Sequence, residues 1–127
     1  MNRLLLGLMF LLTATAARAE WTMIGDGDNF ILYVDTGTIR RNGDFVKMWS
    51  LVDLKTEEVV EGDSHLSRLV QDEYDCKEEM TRILAMSVFS GNMRSGRTVY
   101  TKSVIGKWRP VSPGSVGEGS YKIACGK

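Results

Sequence analysis

Residues 45–55, FVKMWSLVDLK, constrain the fold more than any other stretch of the chain. Their apolar groups recur with a period of two, the spacing of a strand. Val46, Met48, Ser50, Val52 and Leu54 fall on one face, which is nearly all apolar and reads as core. Phe45, Lys47, Trp49, Leu51, Asp53 and Lys55 fall on the other. A strand half-exposed to water does not usually carry three large apolar side chains on its wet face. The stretch is therefore expected to be a central strand whose second face is partly covered.

The neighbouring residues supply partners for it. Residues 21–24 read as a short first strand and Asp26-Gly27-Asp28-Asn29 as a turn. Phe30, Leu32 and Val34 alternate with Ile31, Tyr33 and Asp35, giving a second strand. Asn42-Gly43 is a tight-turn signal, because both residues tolerate positive φ. Glu61-Gly62-Asp63 reads as another turn. Residues 66–76 put Leu66, Val70, Tyr74 and Cys76 on one face, although Arg68 and Asp72 share it. Residues 80–90 are compatible with a helix, but their β-rich surroundings and Gly91-Asn92 favour a strand. Residues 97–102 make a sixth. Ser112-Pro113 then reads as an N-cap followed by proline at the first helical position. Val116, Ser120, Ile123 and Ala124 follow at helical spacing. Gly117 and Gly119 each cost such a helix about 1 kcal/mol, so it needs support from the sheet. The expected class is α+β: about six antiparallel strands, a short C-terminal helix packed on them, and one disulfide. The helix is the expected cover for Trp49 and Leu51, with a partner subunit of a homodimer as its rival.

The first nineteen residues read as a signal peptide. Asn2 and Arg3 start it, the apolar run at 4–12 is too short for a bilayer, and Ala17-Arg18-Ala19 is a small-x-small cleavage pattern. Cleavage between Ala19 and Glu20 leaves residues 20–127 as a single domain with no transmembrane segment. No cysteine lies near that point to take a lipoprotein anchor. The expected location is the periplasm, the cell surface or the medium. In an exported chain two cysteines read as a pair, Cys76 with Cys125. Closing a loop of about 50 residues is worth roughly 4 kcal/mol on the loop-entropy model.

Charge is balanced overall but not along the chain. Residues 53–79 hold ten acids against Lys55, Arg68 and Lys77, whereas residues 80–127 hold eight bases against Glu118 alone. Antiparallel pairing would cancel much of that field. A basic surface that attracts an acidic partner is the functional alternative. Arg94, Arg97, Lys102, Lys107 and Arg109 are the candidate contact residues, with Tyr100 and Trp108 interleaved. They suit an acidic protein segment or an acidic polysaccharide; export argues against nucleic acid.

Catalytic chemistry is poorly supplied. His65 is the only histidine, and in Asp63-Ser64-His65 consecutive extended residues point to opposite sides, so it reads as a surface histidine beside a turn. One histidine and two paired cysteines make no zinc site. The Asp26 loop lacks the glycine and glutamate of a calcium loop, with Ile31 and Gly37 in those places. No cofactor and no enzymatic activity are expected. A small hydrolase built on paired carboxylates is the remote alternative.

The ordered set of marks resembles the surface-adhesin protein E-like family of small exported bacterial proteins. It comprises Trp21, Tyr33-Val34-Asp35, Ile39-Arg40-Arg41-Asn42-Gly43 and the strand at 46–53. It continues with Cys76, Phe89-Ser90-Gly91-Asn92-Met93, Gly96, Trp108, Pro113-Gly114-Ser115 and Tyr121-Lys122-Ile123-Ala124-Cys125. The resemblance implies an antiparallel sheet with a C-terminal helix on it, a bridge between the cysteines, and binding to host extracellular-matrix proteins. The expected function is thus that of an exported, non-enzymatic binding protein. A soluble periplasmic accessory protein, an inhibitor or envelope-assembly partner, is the alternative.

Overall fold

The computed structural model describes residues 19–103 and 105–127. The expected signal peptide lies outside them except for Ala19, which is exposed, as is Glu20. Six strands follow one another: Thr22–Asp26 (β1), Phe30–Asn42 (β2), Phe45–Val60 (β3), Asp63–Asp75 (β4), Met80–Phe89 (β5) and Thr98–Lys102 (β6). Each pairs antiparallel with the next, in spatial order β1-β2-β3-β4-β5-β6. A seventh, Arg109–Pro110 (β7), is only two residues long and pairs with the start of β5. One helix, Val116–Cys125 (α1), closes the chain. The expected α+β class holds, with one strand more than the alternation pattern reveals.

The 45–55 stretch is central, paired to β2 on one side and β4 on the other. Its strand runs on to Val60, and the turn before β4 places Glu61 and Gly62 at positive φ. Strand β2 is also longer than alternation predicts, because it carries a wide bulge. Asp35 pairs with Trp49 and Arg40 with Lys47, so residues 36–39 stand opposite Met48 alone. Side chains serve the backbone that the bulge unpairs. Gly37 N donates to Asp35 Oδ1 at 3.0 Å, and Trp49 N donates to Thr38 Oγ1 at 2.9 Å. What reads as a Thr-Gly-Thr loop is therefore strand held through an irregularity.

The helix starts later than Ser112-Pro113 predicts. Pro113 and Gly114 form the centre of a turn, with Gly114 at φ 74°, the position where a type II turn requires positive φ. Ser115 is the true N-cap: its hydroxyl accepts from Glu118 N at 3.2 Å, in a Ser-x-x-Glu arrangement. Gly126 ends the helix in the left-handed conformation. The N-terminal turn comes so close to β1 that a Cβ on Gly25 would stand 2.6 Å from Val116 Cγ1.

The helix packs on the Val46 face, not on Trp49 and Leu51. Tyr121, Ala124 and Cys125 join Val34, Val46, Met48 and Tyr74 in one core cluster. The cause is the completeness of that face: burying it removes more apolar surface from water than burying the mixed one. Cys76 and Cys125 are joined by a disulfide, S–S 2.04 Å, which pins the end of α1 to the chain just after β4. Tyr121 Oη adds a donor to Cys76 O at 2.9 Å.

The second face has two partial covers. At one end the turn Asn92–Arg94 lies over β3 and β4: Met93 N donates to Asp53 Oδ1 at 2.8 Å, and Arg94 N to Ser67 Oγ at 3.0 Å. At the other, Trp108 packs on Phe45, ring centroids 5.8 Å apart, with the Arg82 guanidinium 4.3 Å from its ring. Between them Leu51 is flanked by its cross-strand partners Tyr33 and Leu69 and is fully buried.

Candidate functional site

Strand β5 organises the basic residues. All five candidates are exposed: Arg94 and Arg97 lie in the loop between β5 and β6, and Lys102, Lys107 and Arg109 lie on or between β6 and β7, which pair with β5 at the outer edge of the sheet. Their environments differ. The Arg94 guanidinium sits 5.7 Å from the Phe89 ring, and Arg97 pairs with Asp63 at 3.3 Å. Lys102 is opposite Met86, Lys107 is in the connection, and Arg109 is opposite Thr81. The β6 end of β5 and its β7 end are about 25 Å apart at strand rise. The five therefore make a stripe along an edge rather than one compact patch. Pairs such as Arg82–Glu73 at 2.5 Å and Arg97–Asp63 cancel part of the field between the acidic and basic halves. Arg94, Lys102, Lys107 and Arg109 make no ion pair among the described residues.

A second feature lies beneath the stripe, on the helix side. An open cavity of about 420 Å³ separates the sheet from the segment that leads into α1. Strands β2, β3 and β4 supply Leu32, Ser50, Val52, Val70, Asp72 and Tyr74; β7 supplies Arg109. Pro110, Val111, Ser112 and Ser115 line the cavity from β7 and the segment that leads into α1. Burial pushes the Asp72 carboxyl up to about 6, against the opposing influence of Arg109 and of the neighbouring Ser50 hydroxyl. Tyr74 is pushed above its ordinary range, by burial first and then by the Asp72 charge, with Ser120 opposing. Asp72 was visible in the sequence only as a flaw in an apolar strand face.

His65 is not the surface histidine its place beside a turn predicts. It stands opposite Glu58 on β3 and is 2 % exposed, with neither ring nitrogen hydrogen-bonded among the described residues. Burial, and then the Arg68 charge, hold its pKa below the ordinary value. The Asp26 loop is a turn: Gly27 N donates to Phe30 O at 2.8 Å, and Asp26 is taken by Lys55 at 2.6 Å. Among the described residues no three His, Cys, Asp or Glu side chains are grouped to hold a metal, and no helix is long and apolar enough to cross a membrane.

The family described as Surface-adhesin protein E matches residues 21–126, nearly all of the described chain. The chain belongs to this family. No curated protein matches it. Among solved structures, crystal form II of Haemophilus influenzae protein E is similar with TM-score 0.68 and 14% identity, over 88% of this chain and 91% of that one. The selenomethionine form of the same Haemophilus influenzae protein gives TM-score 0.67 at 14% identity, over 88% and 90%. At that identity the protein E likeness is one of fold alone. Within a protein E-type sheet, then, the candidate sites are the basic outer edge and the cavity under the helix.

Proposed function

We propose that the chain is an exported, non-enzymatic binding protein whose basic edge recognises an acidic segment of a protein partner, in the manner its family name describes. The observation that carries this reading is the edge itself. Arg94 and Arg97 reach solvent from the loop between β5 and β6, Lys102 from the end of β6, Lys107 from the segment before β7 and Arg109 from β7, on a sheet clamped by the Cys76–Cys125 bridge. Such a rigid surface loses little conformational freedom on binding, and its charges steer encounter. Changing all five to glutamine removes contacts worth about 0.4 kcal/mol each at an exposed site, or about 2 kcal/mol together. That is roughly a thirtyfold loss of affinity.

The test uses immobilised residues 20–127 against purified extracellular-matrix proteins, followed by the five-fold variant and a salt series. Loss of capture in the variant, with weakening at high salt, supports the reading. Undiminished capture by the variant refutes the edge as the contact. Competition by a sulfated polysaccharide would mark that polysaccharide as the true ligand. Cys76 and Cys125 are both consumed by the bridge, so neither can carry a lipid, and this favours the second reading, a soluble periplasmic accessory protein. Surface labelling of intact cells separates the two: labelled protein supports the adhesin, and release with the periplasm without labelling supports the accessory role. The recovered protein should begin at Glu20.

A further inference from the structure

The cavity under the helix has a chemistry of its own and shares one residue, Arg109, with the edge. Its floor is the apolar core face of β2, β3 and β4, where Leu32 and Val70 are buried. Asp72 projects from the middle of that face, between Val70 and Tyr74 and opposite Met48. A carboxylate in such a position is costly unless a cation neutralises it. Asp72 makes no ion pair within 4.0 Å among the described residues. Arg109 lines the same cavity from β7 and acts on Asp72 through space. An acid and a base thus face one another across an open space, over aliphatic walls. The volume of about 420 Å³ lies in the range of small-molecule sites.

We propose that this cavity binds a small aliphatic zwitterion, an α-amino acid or dipeptide, with its ammonium on Asp72 and its carboxylate on Arg109. Leu32, Val52 and Val70 receive the aliphatic side chain. The hydroxyls of Ser50 and Ser120 stand beside Asp72 and Tyr74 and complete the polar part of the site. Neither charge alone makes the case. The pairing of opposite charges that share a cavity without touching selects a ligand carrying both.

Binding of L-leucine and L-leucyl-L-leucine to residues 20–127 is measured by calorimetry and by amide chemical shifts at neutral pH. Saturable binding of one or both is expected, with shifts centred on β4 and β7. N-acetyl-leucine and leucinamide each lack one charge and should bind at least about tenfold more weakly, because the first leaves the Asp72 carboxylate and the second the Arg109 guanidinium without its partner. Asp72→Asn should abolish the preference for leucine over N-acetyl-leucine, and Arg109→Gln that for leucine over leucinamide. The affinity should fall as pH drops below about 6. Asp72, Tyr74 and Arg109 are the titratable groups lining the cavity, and only Asp72 changes charge in that window. Absence of saturable binding for both probes overturns the proposal, as does binding that neither substitution alters.

Discussion

Replacing Asp72 by asparagine should stabilise the protein, and only at pH above about 4. The carboxyl sits on the core face of β4, and burial raises its pKa from 3.8 to about 6. The sign follows from proton binding. Between those two values the folded chain holds a proton that the unfolded chain has released, so stability falls as pH rises through the window. At about 1.4 kcal/mol per pH unit the full effect is about 3 kcal/mol, complete above pH 6. Asparagine keeps the shape of the side chain and removes the charge. Urea unfolding of both proteins at a series of pH values from 3.5 to 8 measures the difference. The curves should run close together at the acid end and separate through pH 4–6, with the variant up to about 3 kcal/mol more stable at pH 8. A difference that is constant across the series would show that the carboxyl is not desolvated in the fold, and would remove one support of the cavity's role.

Three further outcomes follow from the packing. Non-reduced peptide mapping should find Cys76 joined to Cys125, and replacing both by alanine should cost about 4 kcal/mol in urea unfolding, given a separation of 49 residues. Gly25→Ala drives a Cβ to 2.6 Å from Val116 Cγ1 and should destabilise by about 1–3 kcal/mol, with partial rescue by Val116→Ala. Tyr121→Phe removes the bonds from Tyr121 Oη to Cys76 O at 2.9 Å and from Lys127 Nζ at 2.8 Å. It should cost about 1–2 kcal/mol while leaving the disulfide formed.

The spine of the fold is plain in the amino-acid order because it depends on local alternation. Val46, Met48, Ser50 and Leu54 are buried, four of the five residues that alternation assigns to the core; the fifth, Val52, lines the cavity. The turns fall at Gly43-Asp44, one residue beyond the Asn42-Gly43 signal, and at Glu61-Gly62, with Gly43 and Gly62 taking the positive φ that glycine favours. What escaped the pattern depends on contacts between distant residues. The Asp35–Thr38 bulge is held by side chains that also read as a loop. Ser112-Pro113 and Ser115-x-x-Glu118 are competing start signals three residues apart, and Gly114 decides between them by taking positive φ. The choice of face for α1 could not be read from either partner alone. The same holds for the candidate site: Asp72 and Arg109 are brought to one cavity only by the two-residue pairing of β7 with β5. His65 gave no sign of burial, because its place beside the Glu61-Gly62 turn reads as exposed.

The order of the strands has a consequence for biogenesis. Since β1 to β6 pair strictly with their neighbours, each hairpin closes as soon as its second strand is available. The element that covers Val46 and Met48 is the last to arrive. Until α1 docks and the bridge forms, the sheet exists as a curved ribbon with a bare greasy side. The folding chain therefore passes through a sticky interval whose length is set by how fast Cys125 finds Cys76, and slower oxidation should raise its losses to aggregation.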